Sequence, residues 1–140
     1  MTATEITLDI DAPRDPAYTR AVAEAAAEAI RVLNHATFGA GNGALRHPSD
    51  IDAVLRSLAA LAFRLPQLRS QLAAWLEAEQ AAGRIQVTGG EYEGKPALAV
   101  AEARSWLAAA AVHAAELAEA LDAAAGIACH MGAGEVPGGA

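Results

Sequence analysis

Cys129, His130 and Met131 place a thiol, an imidazole and a thioether in consecutive positions, a donor set suited to a soft metal, and a thiolate beside an imidazole also suits nucleophilic attack. Consecutive helical residues point about 100° apart, so the three do not converge, and they stand where the last helix gives way to a glycine-rich tail. Asp9, Asp11 and Asp15 offer carboxylates to a hard cation, yet they lack the glycine and terminal glutamate of a helix-loop-helix calcium site. Gly39-Ala40-Gly41-Asn42-Gly43 has the glycine density of a phosphate-cradling loop, but no strand precedes it and no Gly-Lys-Ser/Thr follows. His35, His47 and His113 have no cysteine or paired carboxylate at ligand spacing, and no Ser/His/Asp arrangement is visible. These patterns predict a non-enzymatic chain with no metal and no cofactor.

The elements that would position any such residue are helical. Ile51, Val54, Leu58, Leu61, Leu65, Leu68, Leu72 and Trp75 alternate steps of three and four, a heptad a/d seam that keeps its phase through Pro66. The spacing predicts a helix over about 50–82. Pro66 removes a backbone donor and crowds the carbonyl four residues earlier, so the helix kinks there or breaks into two. Ser49 and Asp52 are spaced as a capping box at its start, and Gly83 fits its C′ position.

Before it, Asp15 and Pro16 mark the start of a first helix that runs to about Thr37, amphipathic with Tyr18, Val22, Ala26, Ala29, Leu33 and Ala36 on one face. After it, a third helix runs from Pro96 to about Ala128, with an inner stripe of Val100, Ala103, Leu107, Ala110, Ala114, Leu117, Leu121 and Ala124. Period-two alternation at residues 5–11, and again around Ile85 and Val87 within 84–93, predicts minor β pieces.

Composition bounds the rest. One hundred and forty residues suit one domain, here 1–131, with a disordered tail over 132–140 rich in glycine. Alanine exceeds a quarter of the chain while Phe, Tyr and Trp together number six, which favours helices set close around small side chains. Ten basic against seventeen acidic residues leave a net charge of −7, which disfavours nucleic acid and anionic membranes as partners. One cysteine, no leader-like segment and no apolar run long enough to span a bilayer point to a cytoplasmic protein.

The fold expected is therefore all-α, an antiparallel three- to four-helix bundle of long Ala/Leu-rich helices. Two of these helices reach about 50 Å, and a short third helix leaves part of their stripes uncovered, so a homodimer is expected, with a further protein partner as the other way to cover them. The function expected is helical assembly or adaptor work through protein–protein contact, with Leu58, Leu61, Leu65, Leu68, Leu72 and Trp75 carrying most of the buried area.

A second reading takes 50–94 as a winged helix: helix 51–62, a turn at 63–65, a recognition helix presenting Gln67, Arg69, Ser70 and Gln71, then a wing around Gly89-Gly90. This order of elements resembles dimeric winged-helix repressors of the multiple-antibiotic-resistance regulator type, and the resemblance implies DNA binding. Leu33-Asn34-His35-Ala36-Thr37, Leu65-Pro66-Gln67-Leu68, Gln71-Leu72 and Ala74-Trp75-Leu76 resemble a group of small helical hypothetical proteins of high-GC actinobacteria. That resemblance implies a bacterial, cytoplasmic, helical protein and no particular activity.

Overall fold

The computed structural model describes residues 5–39, 41 and 43–134, and places three helices along them: α1 (Pro16–Ala36), α2 (Pro48–Ala81) and α3 (Pro96–Ala128). Each opens on a proline, whose missing N–H is no loss in a first turn and whose fixed φ suits it. The chain is all-α, with no strand among the described residues. It divides into two compact units, Met1–Arg46 and His47–Ala140.

In the first unit, Asp15 caps α1 by accepting the Ala17 N–H on Oδ1 at 2.7 Å. Residues 5–11 are not the expected strand. The Tyr18 hydroxyl donates to the Thr7 carbonyl and accepts the Asp9 N–H, both at 3.0 Å, so these backbone groups are satisfied by a side chain. A single seven-residue strand without a ladder partner leaves all of its backbone polar groups to find other partners, and this segment meets some of them locally. Leu8 and Ile10 consequently lie exposed.

The second unit is a hairpin of α2 and α3. Its entry lies earlier than the Ser49–Asp52 box predicts: Pro48 takes the first helical position, His47 becomes the cap, and the His47 N–H donates to Asp50 Oδ2 at 2.9 Å. α2 runs unbroken through Pro66 for 34 residues, so of the two expected outcomes there the continuous helix is the one observed. It ends in a Schellman turn. The Arg84 N–H reaches the Glu79 carbonyl and the Gly83 N–H that of Gln80, both at 3.0 Å, with Gly83 at φ +69°.

The expected β piece over 84–93 is likewise absent. The connection is a set of turns in which Gly94 N–H meets Val87 C=O at 3.0 Å and Lys95 N–H meets Tyr92 C=O at 2.9 Å. Positive φ at Gly90 and Gly94 bends the chain where a strand would have to stay extended. Of the tail expected over 132–140, residues 135–140 lie outside the described residues, and 132–134 carry no regular structure.

The two long helices run antiparallel, residues 65–72 sharing one groove with 107–114 and residues 56–66 sharing another with 115–122. Small side chains make the contact: Ala59, Ala62 and Ala73 on α2, and Val100, Ala114, Ala118, Ala125 and Ala128 on α3 are buried. Alanine lets two helix axes approach closely, but each one removes little apolar area from water. No large side chain is fully buried among the described residues.

Candidate interaction surface

The leucine seam flanks the α3 contact without forming its centre: Leu65, Leu68 and Leu72 border a groove shared with Leu107. On α2 the inward positions are the alanines 59, 62 and 73, and the seam residues lie about 60–120° round the helix from them. Leu58 is half-buried, whereas Leu61, Leu65, Leu68, Leu72 and Trp75 are exposed, Leu68 at 50% and Trp75 at 62% of full accessibility. The seam was expected to carry most of the buried area, and in the hairpin its leucines from 61 to 72 are only half to about three-fifths covered.

α3 extends the same surface. Leu65, Leu68, Arg69 and Leu72 line a groove of about 200 Å³ with Leu107, Ala110, Ala111 and Ala114. Trp106 and Leu117 lie on that flank by helical spacing and are exposed, Trp106 at 73%. Both tryptophans of the chain therefore sit on one flank of the hairpin, at the end nearer the connection. The outward stripe of α2 from Val54 to Trp75 has no acidic or basic residue at its seam positions, whereas on α3 His113, seven residues on from Trp106, lies with its Nδ1 3.7 Å from Glu116 Oε2.

Arg69 is the exception at the foot of the groove. It is half-buried, and its Nε is buried without a hydrogen-bond partner. A buried donor in that state costs roughly 1–3 kcal/mol.

The opposite flank differs in kind. Arg56, Ala59, Ala60, Phe63, Pro66, Ala115, Ala118, Glu119 and Asp122 line an open groove of about 850 Å³. Arg56 Nε lies 2.8 Å from Asp52 Oδ1, and Arg104 Nη2 lies 3.3 Å from Glu77 Oε2 across the two helices. Phe63, 78% exposed, is its large apolar side chain on α2. The hairpin thus has one apolar flank and one charged flank.

The residues of the winged-helix reading are not brought together. Gln67, Ser70 and Gln71 are exposed, while Arg69 turns to the groove between the helices. No turn interrupts 63–65 and no strand forms over 84–93, so neither a separate recognition helix nor a wing is present. Cys129 is exposed and its thiol donates to the Gly126 carbonyl at 3.2 Å. Among the described residues no group of three His, Cys, Asp or Glu is placed to hold a metal ion, and no helix is long and apolar enough to cross a membrane.

Two lowered carboxylates belong to ion pairs, one of them at Glu79, four residues beyond Trp75 on α2. Glu79 is held below its ordinary value of 4.5 by hydrogen bonds from the Arg84 guanidinium, whose Nε and Nη2 each reach a carboxylate oxygen at 2.8 Å. Glu28 is lowered in the same way by Arg31. Tyr92 is raised, first by desolvation and then by the charges of Glu102 and Glu91.

The alanine contact stripe was missed by sequence reasoning. Its signal was present in Ala59, Ala62, Pro66, Arg69 and Ala73, which step by three and four alongside the leucines. No protein-family model, curated protein or solved structure matches this chain.

Proposed function

We propose that this chain is a non-enzymatic helical assembly protein that works by docking the apolar flank of its α2–α3 hairpin onto another helical surface. The observation that carries the reading is that flank: large leucine and tryptophan side chains exposed along two long helices, while the hairpin's own contact uses alanine. Contiguous apolar surface of this extent marks an interaction site in a soluble chain. The location expected from the sequence, the cytoplasm, suits a chain with one exposed free thiol.

The double variant Leu68→Glu/Leu72→Glu tests it. Each glutamate places a charge in the docked flank, so the native chain should either self-associate or bind a hydrophobic dye there, and the variant should lose that property while keeping its helicity. Unchanged mass together with unchanged dye binding in a helical variant would sink the reading. DNA binding remains the weaker proposal, since the face of Gln67 and Gln71 has Arg64 beside it by helical spacing but no separate recognition helix and no wing. Salt-sensitive retention of DNA that disappears in Arg69→Glu would revive it.

A further inference from the structure

We infer that the surface docked on the apolar flank is that of a second copy of this chain, with α2 antiparallel to the partner's α2 about a two-fold axis level with residue 63. The inference rests on the reading of this flank as an interaction surface and names its occupant. Two observations carry it.

The first is the spacing of the seam. Its steps from Ile51 to Trp75 read 3, 4, 3, 4, 3, 4, 3 in either direction, so the seam superimposes on itself when reversed. Antiparallel helices that pack by heptads set an a position against a d position. Reversal about residue 63 does this in every layer: Leu61 meets the partner's Leu65, Leu58 meets the partner's Leu68, and Ile51 meets the partner's Trp75. The bulkiest seam residue thereby stacks on one of another shape, where a parallel pairing would set tryptophan on tryptophan. The two-fold axis also lays α3 over the partner's α3, so a four-helix bundle results in which each neighbouring pair is antiparallel.

The second is area. The seam from Ile51 to Trp75 is ~36 Å long, and with α3 beside it the face is about 20 Å across, or roughly 700 Å² per copy. Two such faces bury about 1,400 Å², within the ~1,200–2,000 Å² range of a standard stable interface. A helix of 21 residues, the length of α1, reaches ~32 Å and is one helix wide, a little under half of that face. A second hairpin has the required length and width, Arg69 is a cation it must cover, and the flank with Arg56, Glu119 and Asp122 stays outside.

Disulfide mapping tests the pairing in the full-length chain, with Cys129→Ser as background. Leu58→Cys and Leu68→Cys proteins, mixed and oxidised, should form a covalent species of twice the 14.3 kDa chain mass, while each alone should give far less. Residues ten apart on one helix are ~15 Å apart, beyond the reach of a disulfide within one chain. Leu61→Cys mixed with Leu65→Cys is the second pair, should either first variant lose its helicity. A dimer by light scattering with neither cross-link, or with Leu68→Cys linking to itself, overturns the antiparallel register and leaves the interaction surface standing. A monomer that still binds a hydrophobic dye on this flank overturns the second copy as occupant. A monomer with no dye binding overturns both.

Discussion

Arg104 Nη2 on α3 lies 3.3 Å from Glu77 Oε2 on α2, and each of these residues is two positions from a tryptophan, Trp106 and Trp75 respectively. Two residues are about 200° of helix, so the ion pair and the two indoles fall on opposite flanks of the hairpin. A charged clasp on one side and bare aromatic surface on the other define which side of the ribbon is open to a partner. Both ends of the pair are well exposed to water, so the clasp orients more than it stabilises. Glu77→Gln should change stability by less than about 1 kcal/mol and leave association unchanged. Thermal unfolding of the variant beside the parent checks this, and a loss of several degrees would mean that the pair is more than a surface contact.

Substitutions on the two flanks should separate cleanly. Leu65→Asp, on the apolar flank, should convert a dimer to a monomer or unfold the chain, because it puts an unpaired charge among leucines. Phe63→Asp, two residues away on the other flank, should leave mass and helicity as they were. Light scattering on the two variants decides. A Phe63→Asp protein that dissociates while Leu65→Asp does not would place the interface on the wrong side of the hairpin.

Arg69→Met should stabilise the protein. The methionine keeps an unbranched apolar stem in the groove and removes the buried, unpartnered Nε, an orphan donor that costs roughly 1–3 kcal/mol. Denaturant unfolding should show a higher midpoint for the variant. A lower one would mean that the guanidinium makes an interaction in the assembled protein that methionine cannot replace.

These variants also show what could be read from the sequence. The heptad of α2, the proline-led starts of α1 and α3, Asp15 as a cap and Gly83 as a C′ residue were all legible, because each depends on neighbours within one or two turns. The direction of the seam was not. Leucines at a and d positions announce packing without naming the partner, and here the alanines beside them take the α3 contact. The strand over 5–11 was misread because period-two alternation requires a ladder partner that the sequence does not supply, and Tyr18 bonds the backbone instead. Arg69 was placed on an exposed face for the same reason as the seam, since its orientation depends on where α3 lies.

Gly83→Ala should cost about 1 kcal/mol, because φ of +69° is freely adopted by glycine and strained for alanine. No atom obstructs an added Cβ there, so the effect is one of backbone conformation alone. Chemical unfolding measures it. Gly89→Ala, whose backbone is ordinary, is the matched control and should be close to neutral.

The end of α2 should also respond to acid. Glu79 titrates below 4.5 in the folded chain, so folding favours its ionised form. Its contribution is complete above 4.5 and is lost as pH falls through the lower folded value. The protection factor of the Arg84 amide, its exchange rate divided into the intrinsic rate at the same pH, should fall over that acid range, because its N–H bonds the Glu79 carbonyl. Glu79→Gln should remove this pH dependence, and its persistence in that variant would assign it to another group.

The most direct test uses the chain's two tryptophans, since Trp75 and Trp106 both lie on the apolar flank. Acrylamide quenching and emission maximum would be recorded over a hundredfold range of protein concentration, for the parent and for Leu68→Glu. Docking predicts blue-shifted, quench-protected indoles at high concentration that become water-exposed on dilution and in the variant. Indoles fully open to quencher at every concentration, or protection that ignores both dilution and Leu68→Glu, would contradict it.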